Sequence, residues 1–286
     1  MIYNDGMAKY TIIADSCCNL YSKDLNSSKI DFHVIPLTMI VGEQEFVDTE
    51  SLDTAKFVHA VNEFKGVSKS ACPSPEAFYE VMQKGDNIIV VTLSGKLSGT
   101  NASAMAAGER LKTEHPNKKL FILDSLCASS GIDLILYKIR DLVEEGKNSF
   151  DEIAVKAEEI RNKMHTRFLL QDLGNLVKNG RMSKMVGKIL TTAKIKLICG
   201  DDGEGEIKKY GMAIGTRRGL ATLAELPSKE ITAEDPIMIT HVHDAEGAAF
   251  LENQLKTKFG FKNIKVRLMR GLSSLYSADK GIVIAY

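Results

Sequence analysis

Along the first half of the chain, apolar positions follow two rhythms. The β-branched runs "YTIIAD" (10–15), "NIIVVTLS" (87–94) and "KLFILDS" (119–125) read as strands, and the contiguous "IIVV" suits a strand buried on both faces. "DFHVIPLTMIV" (31–41) reads as one further apolar run, followed by a turn at Gly42 and "EFVD", a predicted hairpin. Between the strands lie helical patterns: "SPEAFYEVMQKG" (74–85) and an alanine-rich stretch from about Gly99. Ile132, Ile135, Leu136, Ile139, Leu142 and Val143 then recur at helical spacing, with Gly146 as the stop. Ser149 and Glu152 form an S-x-x-E capping box that opens the next helix. Strands alternating with helices imply crossover connections and a largely parallel, Rossmann-like sheet.

The second half has a different texture. "RFLLQD" predicts a strand, "LGNLVKNG" a short helix closed by Gly180, and "SKMVGKIL" (183–190) another helix. "AKIKLIC" and "IKKYGMAI" flank the polar turn "GDDGEGE", an antiparallel hairpin. "PIMITHVH", a helix from Ala245 to Phe259, "NIKVRLMR" and "GIVIAY" complete a mixed sheet with helices. The expected fold is α/β with two domains: residues 1–165 with a largely parallel sheet flanked by helices, and residues 166–286 with a mixed or antiparallel sheet. Ligands of such folds sit at the carboxyl ends of parallel strands and between domains.

Composition narrows the function. Lysine plus arginine equals aspartate plus glutamate at 37 each, so no global field recruits nucleic acid or an anionic membrane. Apolar runs fall far short of the roughly 20 residues that span a bilayer. "MIYNDGMAKY" lacks the basic and apolar regions of a secretion signal, and Met7 offers a second start after a short leader. Cys17, Cys18, Cys72, Cys127 and Cys199 are odd in number and form no CxxC, which suits reduced thiols in the cytoplasm.

Several first-half strands end in polar residues: Asp15-Ser16, Ser94-Gly95 and Asp124-Ser125. Parallel strand ends converge on one rim, and Ser98 opens a helix beside it. Two readings stand side by side: a small anion site, or helix capping and local backbone bonds. "GKLSG" is not the G-x-S-x-G of a nucleophile elbow. "HVHDAE" offers His241, His243 and Asp244 without further metal ligands, which favours a strand end whose Asp244 starts a helix. "GDDGEGE" lacks the calcium-loop pattern, and "GTRRG" (215–219) reads as a solvated basic loop. Dinucleotide and P-loop fingerprints are missing from the sequence.

Taken in order, the motifs resemble the DegV family of bacterial fatty-acid-binding proteins. "IIADSCCNL" resembles its opening D-S-x-x-x-L, "KSACPSPEAF" its K-T-S-x-P-S-P segment, and "LSGKLSGTNASA" its S-x-x-L-S-G-T-x-x-S-A stretch. "LFILDS" resembles its next strand, and "QDLGNLVKNGRMS" its D-L-x-x-L-x-x-x-G-R-I-S signature. The resemblance implies a non-catalytic protein that needs no cofactor or metal and buries one long-chain fatty acid. It also implies a fatty acid kinase as partner, which phosphorylates the carboxyl group for phospholipid synthesis. The competing expectation from the scaffold alone is a small-molecule or phosphate-transferring enzyme.

Carried over residue by residue, the resemblance implies that Ser70 and Ser94 hold the carboxylate. Ser70 stands where the family has threonine, and the two serines are closer in sequence than is usual. Arg181, Ser98, Gly95, Asp15 and Ser16 are expected to support them, Arg181 either electrostatically or by fixing the loop between the domains. The family's C-terminal H-x-G-P-G-x-x-G is replaced by "SSLYSADKGIVIAY", which places Tyr276 at the head-group histidine. Tyr276 is expected either to donate its hydroxyl to the carboxylate or to pack outside a surface loop that has lost that role. Ala102, Ala104, Ala106 and Ala107 either make room for the acyl chain or permit close helix packing.

Overall fold

A computed structural model describes residues 9–182 and 195–286. Residues 1–8, with the second start offered at Met7, and the helix expected over "SKMVGKIL" lie outside the described residues.

The first sheet is parallel throughout, in the order β2-β1-β6-β7, from β1 (Tyr10–Asp15), β2 (Ile30–Ile35), β6 (Asn87–Thr92) and β7 (Lys119–Asp124). Its central strands are buried on both faces, as the "IIVV" run requires. Ile13, Ile88 and Val90 pack with Phe78 and Met82 of α3 (Pro75–Met82) and with Ala104, Ala107 and Leu111 of α4 (Thr100–Glu114). Ile12, Ala14, Ile89 and Val91 face the other way, into the core shared with α5 (Ser130–Glu145) and α6 (Phe150–Lys163). Ala104 and Ala107 therefore serve close packing against the sheet.

The run "DFHVIPLTMIV" is broken in two, which the apolar pattern did not reveal. Pro36 has no N–H to give a ladder, so the chain leaves β2 there and begins β3 (Thr38–Val41) in a separate sheet. That small antiparallel sheet, ordered β4-β3-β5, adds the expected hairpin strand β4 (Gln44–Val47) and the unforeseen β5 (Lys69–Ala71). Helix α1 (Ser22–Leu25) precedes β2, and α2 (Thr54–Glu63) connects β4 to β5.

The second sheet is mixed, in the order β10-β9-β8-β13-β11-β12. Its strands are β8 (Thr166–Leu169), β9 (Ile195–Asp201), β10 (Ile207–Ile214), β11 (Ile237–His241), β12 (Ile264–Leu268) and β13 (Ile282–Ala285). Alternation again decides the faces. Leu169, Ile198, Ile239 and Ile284 pack under α8 (Thr216–Glu225) and α10 (Ala245–Phe259), which the short α9 (Pro227–Glu230) separates in sequence, while Phe168, Leu197, Met238 and Val283 face the first domain. Between the two sheets lies α5, buried along most of its first two turns.

A buried polar knot ties the domains together. The backbone N–H and side-chain amide of Asn19 donate to Asp133 at 2.7 and 2.9 Å, and the same amide reaches Ser129 Oγ at 3.1 Å. Ser129 in turn pairs with Thr240 Oγ1 at 3.1 Å, and the Arg270 N–H donates to Asn19 Oδ1 at 3.0 Å. Burial pushes the Asp133 carboxyl up to about 7, against the pull of the Asn19 bonds. Near the surface, local signals hold as expected. Ser149 and Glu152 form a capping box, Gly146 closes α5 in the left-handed region, and Asp244 accepts from Gly247 N–H to start α10. No helix of the described residues is long and apolar enough to cross a membrane.

Candidate functional site

The carboxyl ends of β1, β6 and β7 open onto a cavity whose opposite wall is the second sheet. Cys17, Leu93 and the loop Leu126–Ser129 supply the first side, while Thr166 and Phe168 of β8 and Val283 of β13 supply the second. Its empty volume, counting the mouth, is about 830 Å³. Thr166, Phe168 and, just beyond the strand, Leu170 are alternate residues, so β8 presents them in a row along the cavity. Two thiols, Cys17 and Cys127, line the same space, and burial pushes both well up. They are therefore neutral, apolar surface rather than nucleophiles.

One end of the cavity is polar. Ser70 on β5 meets Tyr276 there, Oγ to Oη at 2.9 Å, although 206 positions separate them in sequence. The meeting follows from how α7 (Gly174–Lys178) and α11 (Gly271–Ser277) are pinned. Asn179 donates to Ser68 O at 2.9 Å, and Asn175 to Leu275 O at 2.9 Å. Asp48, fully buried, accepts from the first N–H groups of α11, Gly271 at 3.1 Å and Leu272 at 2.8 Å. "SSLYS" is thus part of a buried helix rather than a surface loop, and Tyr276 lines the cavity.

Ser98 and Arg181 complete this end. Ser98 does not act as the N-cap of α4, since Gly99 occupies that position; its hydroxyl pairs with Thr100 Oγ1 at 2.9 Å. Arg181 donates to Leu97 O at 3.2 Å and Asn179 O at 2.5 Å, with its guanidinium 5.9 Å from the Tyr276 ring centre. These bonds join the 94–99 loop of one domain to the end of α7 in the other. Of the two expected roles for Arg181, fixing that loop is the one made by direct contacts.

The remaining strand-end groups are placed differently from the sequence expectation. Ser94, fully buried, donates instead to Gly205 O at 2.7 Å across the domain junction. Gly205 has φ +97°, and a Cβ there would stand 2.4 Å from the Ser94 hydroxyl, so only glycine fits the contact. The Ser94 proton thus holds the β9–β10 turn, which walls the cavity through Gly205, Glu206 and Ile207. Asp15 accepts from Cys17 N–H at 2.9 Å and Leu93 N–H at 2.6 Å, stapling two strand ends; burial pushes its carboxyl up to about 7. Ser16 accepts from Leu37 N–H at 3.0 Å, and Gly95 N–H donates to both Asp124 oxygens at 3.1 Å. Neither Asp15 nor Ser16 reaches the cavity, because buried carboxylates and hydroxyls at strand ends must first satisfy local backbone donors.

His241 is buried and its Nδ1 accepts from Asp244 N–H at 3.2 Å, so this strand end serves the start of α10. Burial holds that imidazole below its ordinary range. Among the described residues, no group of three or more His, Cys, Asp and Glu side chains could hold a metal ion.

The fold and cavity define a two-domain α/β protein built around an apolar site with one polar end. Over residues 9–285 the chain matches the family model described as "Uncharacterised protein, DegV family". A DegV domain-containing protein of Streptococcus pyogenes serotype M1 is 31% identical over 277 residues, covering 97% of this chain and 99% of that protein. This chain belongs to the DegV family. Among solved structures, the Streptococcus pneumoniae fatty acid kinase (Fak) B3 protein loaded with linoleic acid superposes with TM-score 0.93 at 30% identity, covering 97% of this chain and 99% of that one. A DegV family protein from Eubacterium eligens loaded with heptadecanoic acid gives TM-score 0.90 at 29% identity, covering 96% and 98%.

Proposed function

We propose that this chain binds one long-chain fatty acid, its tail in the apolar cavity and its carboxylate at the Ser70–Tyr276 end, and presents it to a fatty acid kinase in the cytoplasm. The observation that carries the reading is an apolar cavity closed at one end by two hydroxyls in contact. A carboxylate moved from water into such a site costs several kcal/mol unless it is hydrogen-bonded. One proton bridges Ser70 and Tyr276, and the second is available for a ligand; Ser98 supplies a third hydroxyl beside them. Arg181 adds positive charge at the same end. Each buried methylene contributes about 0.8 kcal/mol, so an acyl chain supplies the affinity while the hydroxyls fix its direction. Bound linoleic and heptadecanoic acids in the related structures support this reading, and the name of the pneumococcal relative supports the kinase as partner.

Titration with palmitate tests the cradle. Ser70→Ala and Tyr276→Phe should each weaken binding by about 1.5–3 kcal/mol, the range for a hydrogen bond to a charged group. Tyr276→Phe keeps the ring's apolar contacts, so its loss reports the hydroxyl alone. Unchanged affinity in the double variant would place the carboxylate elsewhere.

A further inference from the structure

A second and larger cleft lies at the domain junction. It measures about 1720 Å³ counting its open mouth, against about 830 Å³ for the cavity, and the two share no lining residue. The C-terminal halves of α5 and α6 form one side, and α9, the turn before β11 and Tyr286 form the other. Helix α5 starts beside the cavity loop at Ser129 and reaches the cleft at Lys138, roughly 14 Å farther along its axis. The walls carry more positive charge than the protein itself uses. Lys138, Lys156, Lys163 and Lys229 share the lining with the carboxylates of Glu159, Glu230 and Asp235. Two of those carboxylates already have partners. Glu230 accepts from the Tyr286 hydroxyl at 2.7 Å and stands 3.6 Å from the buried Arg167. Asp235 accepts from the Thr232 N–H and hydroxyl at 2.9 and 2.8 Å. Lys156 donates to Asn148, whereas Lys138, Lys163 and Lys229 make no side-chain hydrogen bond or ion pair among the described residues. Lys138 is half-buried, and burial holds its ammonium below the ordinary range; Asp235 pulls the other way, and Lys163 adds to the effect of burial. An ammonium partly removed from water without an acceptor costs free energy that an anion in the cleft would offset. Leu142, Ile160 and Ile231 set apolar surface beside these charges.

We propose that this cleft binds an organic diphosphate of the nucleoside diphosphate class, its phosphates among Lys138, Lys163 and Lys229 and its organic part against Leu142, Ile160 and Ile231. Three ammonium groups from three separate helices suit a ligand group that carries more than one negative charge. Lysine meets phosphate as a point charge without a fixed angle, whereas paired planar contacts to a carboxylate are the work of arginine, and no arginine lines the described cleft. The apolar wall and the size of the cleft call for more than a bare anion. The site stands apart from the fatty acid cavity and does not depend on what that cavity holds.

Calorimetric titration of the full chain with ADP, pyrophosphate and citrate tests the assignment. ADP should bind about tenfold more tightly than pyrophosphate, because its organic part covers apolar wall, and at least about tenfold more tightly than citrate, which has carboxylates alone. Lys138→Met keeps the aliphatic stem and removes the charge, and Lys163→Ala changes an exposed side chain. Each should weaken ADP binding about tenfold, as expected for one charge-assisted contact, and leave palmitate affinity within about twofold. Raising the ionic strength should weaken ADP binding, because the cleft is open to solvent. Protein loaded with palmitate should bind ADP as the lipid-free protein does. No saturable ADP binding, or ADP affinity unchanged in both variants, would overturn the site. Equal affinity for citrate would overturn the phosphate assignment, and equal affinity for pyrophosphate would overturn its organic part. Displacement of palmitate by ADP would place the anion in the cavity and overturn the separate cleft. Failure of palmitate to bind while ADP binds as expected would overturn the fatty acid reading alone.

Discussion

Replacing Ala128 with phenylalanine should lower palmitate affinity at least about 100-fold and leave the protein folded. Ala128 is a half-buried wall residue of the cavity, set in the loop that follows β7. Its side chain is small, and a phenyl ring in its place would occupy space needed by several methylenes. At about 0.8 kcal/mol for each methylene displaced, three or four of them suffice for a loss of that size. The ring fills empty volume instead of opening a cavity, so the unfolding midpoint of the lipid-free protein should hold or rise. Titration with palmitate and a denaturant melt of the same preparation check both halves. Retained affinity would mean that the acyl chain does not run past the 126–129 loop.

Asp48→Ala should destabilise the protein by about 3–5 kcal/mol, the cost of leaving a buried ion without its partner. Asp48 is fully buried, and Arg270, 2% exposed, approaches it at 3.9 Å. Burial raises the Asp48 carboxyl, while Arg270 and the N–H groups of Leu272 and Gly271 pull it back down. Alanine would strand the Arg270 guanidinium beside an empty space and leave two helix-start N–H groups without an acceptor. Arg270 would keep its bonds to Leu20 O and Asp48 O, both at 2.8 Å, which offset part of the loss. Since α11 carries Tyr276, palmitate binding should weaken along with stability. Chemical denaturation with and without palmitate would separate the two effects, and a loss under about 1 kcal/mol would show that α11 is held by its apolar contacts instead.

Elements built from local signals were legible in the sequence. Helix α10, the capping box of α6 and the turn between β9 and β10 each depend on residues a few positions apart, and each lies where its residues predict. The parallel character of the first sheet followed from strand–helix alternation. What sequence left ambiguous was the use of each polar group after folding. Ser94 and Ser98 are both hydroxyls in one loop, yet Ser94 faces Gly205 from the other domain and Ser98 faces the cavity. That difference depends on where a turn 111 residues away comes to rest.

Tyr276 shows the same limit from the other side. Its sequence surroundings, "SSLYSADKG", carry small polar residues and read equally as loop or helix. Its burial comes from Asp48, more than 200 positions earlier, which anchors the helix start. The cavity wall on β8 was partly visible, since Phe168 and Leu170 alternate with other residues in "RFLLQD". Nothing local indicated that this strand would set a row of residues along the ligand space where β9 and β13 give one each, Asp201 and Val283. The break at Pro36 could have been read from proline's missing N–H, and with it the separate sheet that carries Ser70.

Native mass spectrometry of the full chain, followed by organic extraction and identification of whatever lipid is released, tests the central claim most directly. The account predicts one fatty acid for each chain, retained in the gas phase and released as a free acid on denaturation. Protein that releases no lipid, and that after delipidation fails to bind either palmitate or oleate on titration, would contradict it.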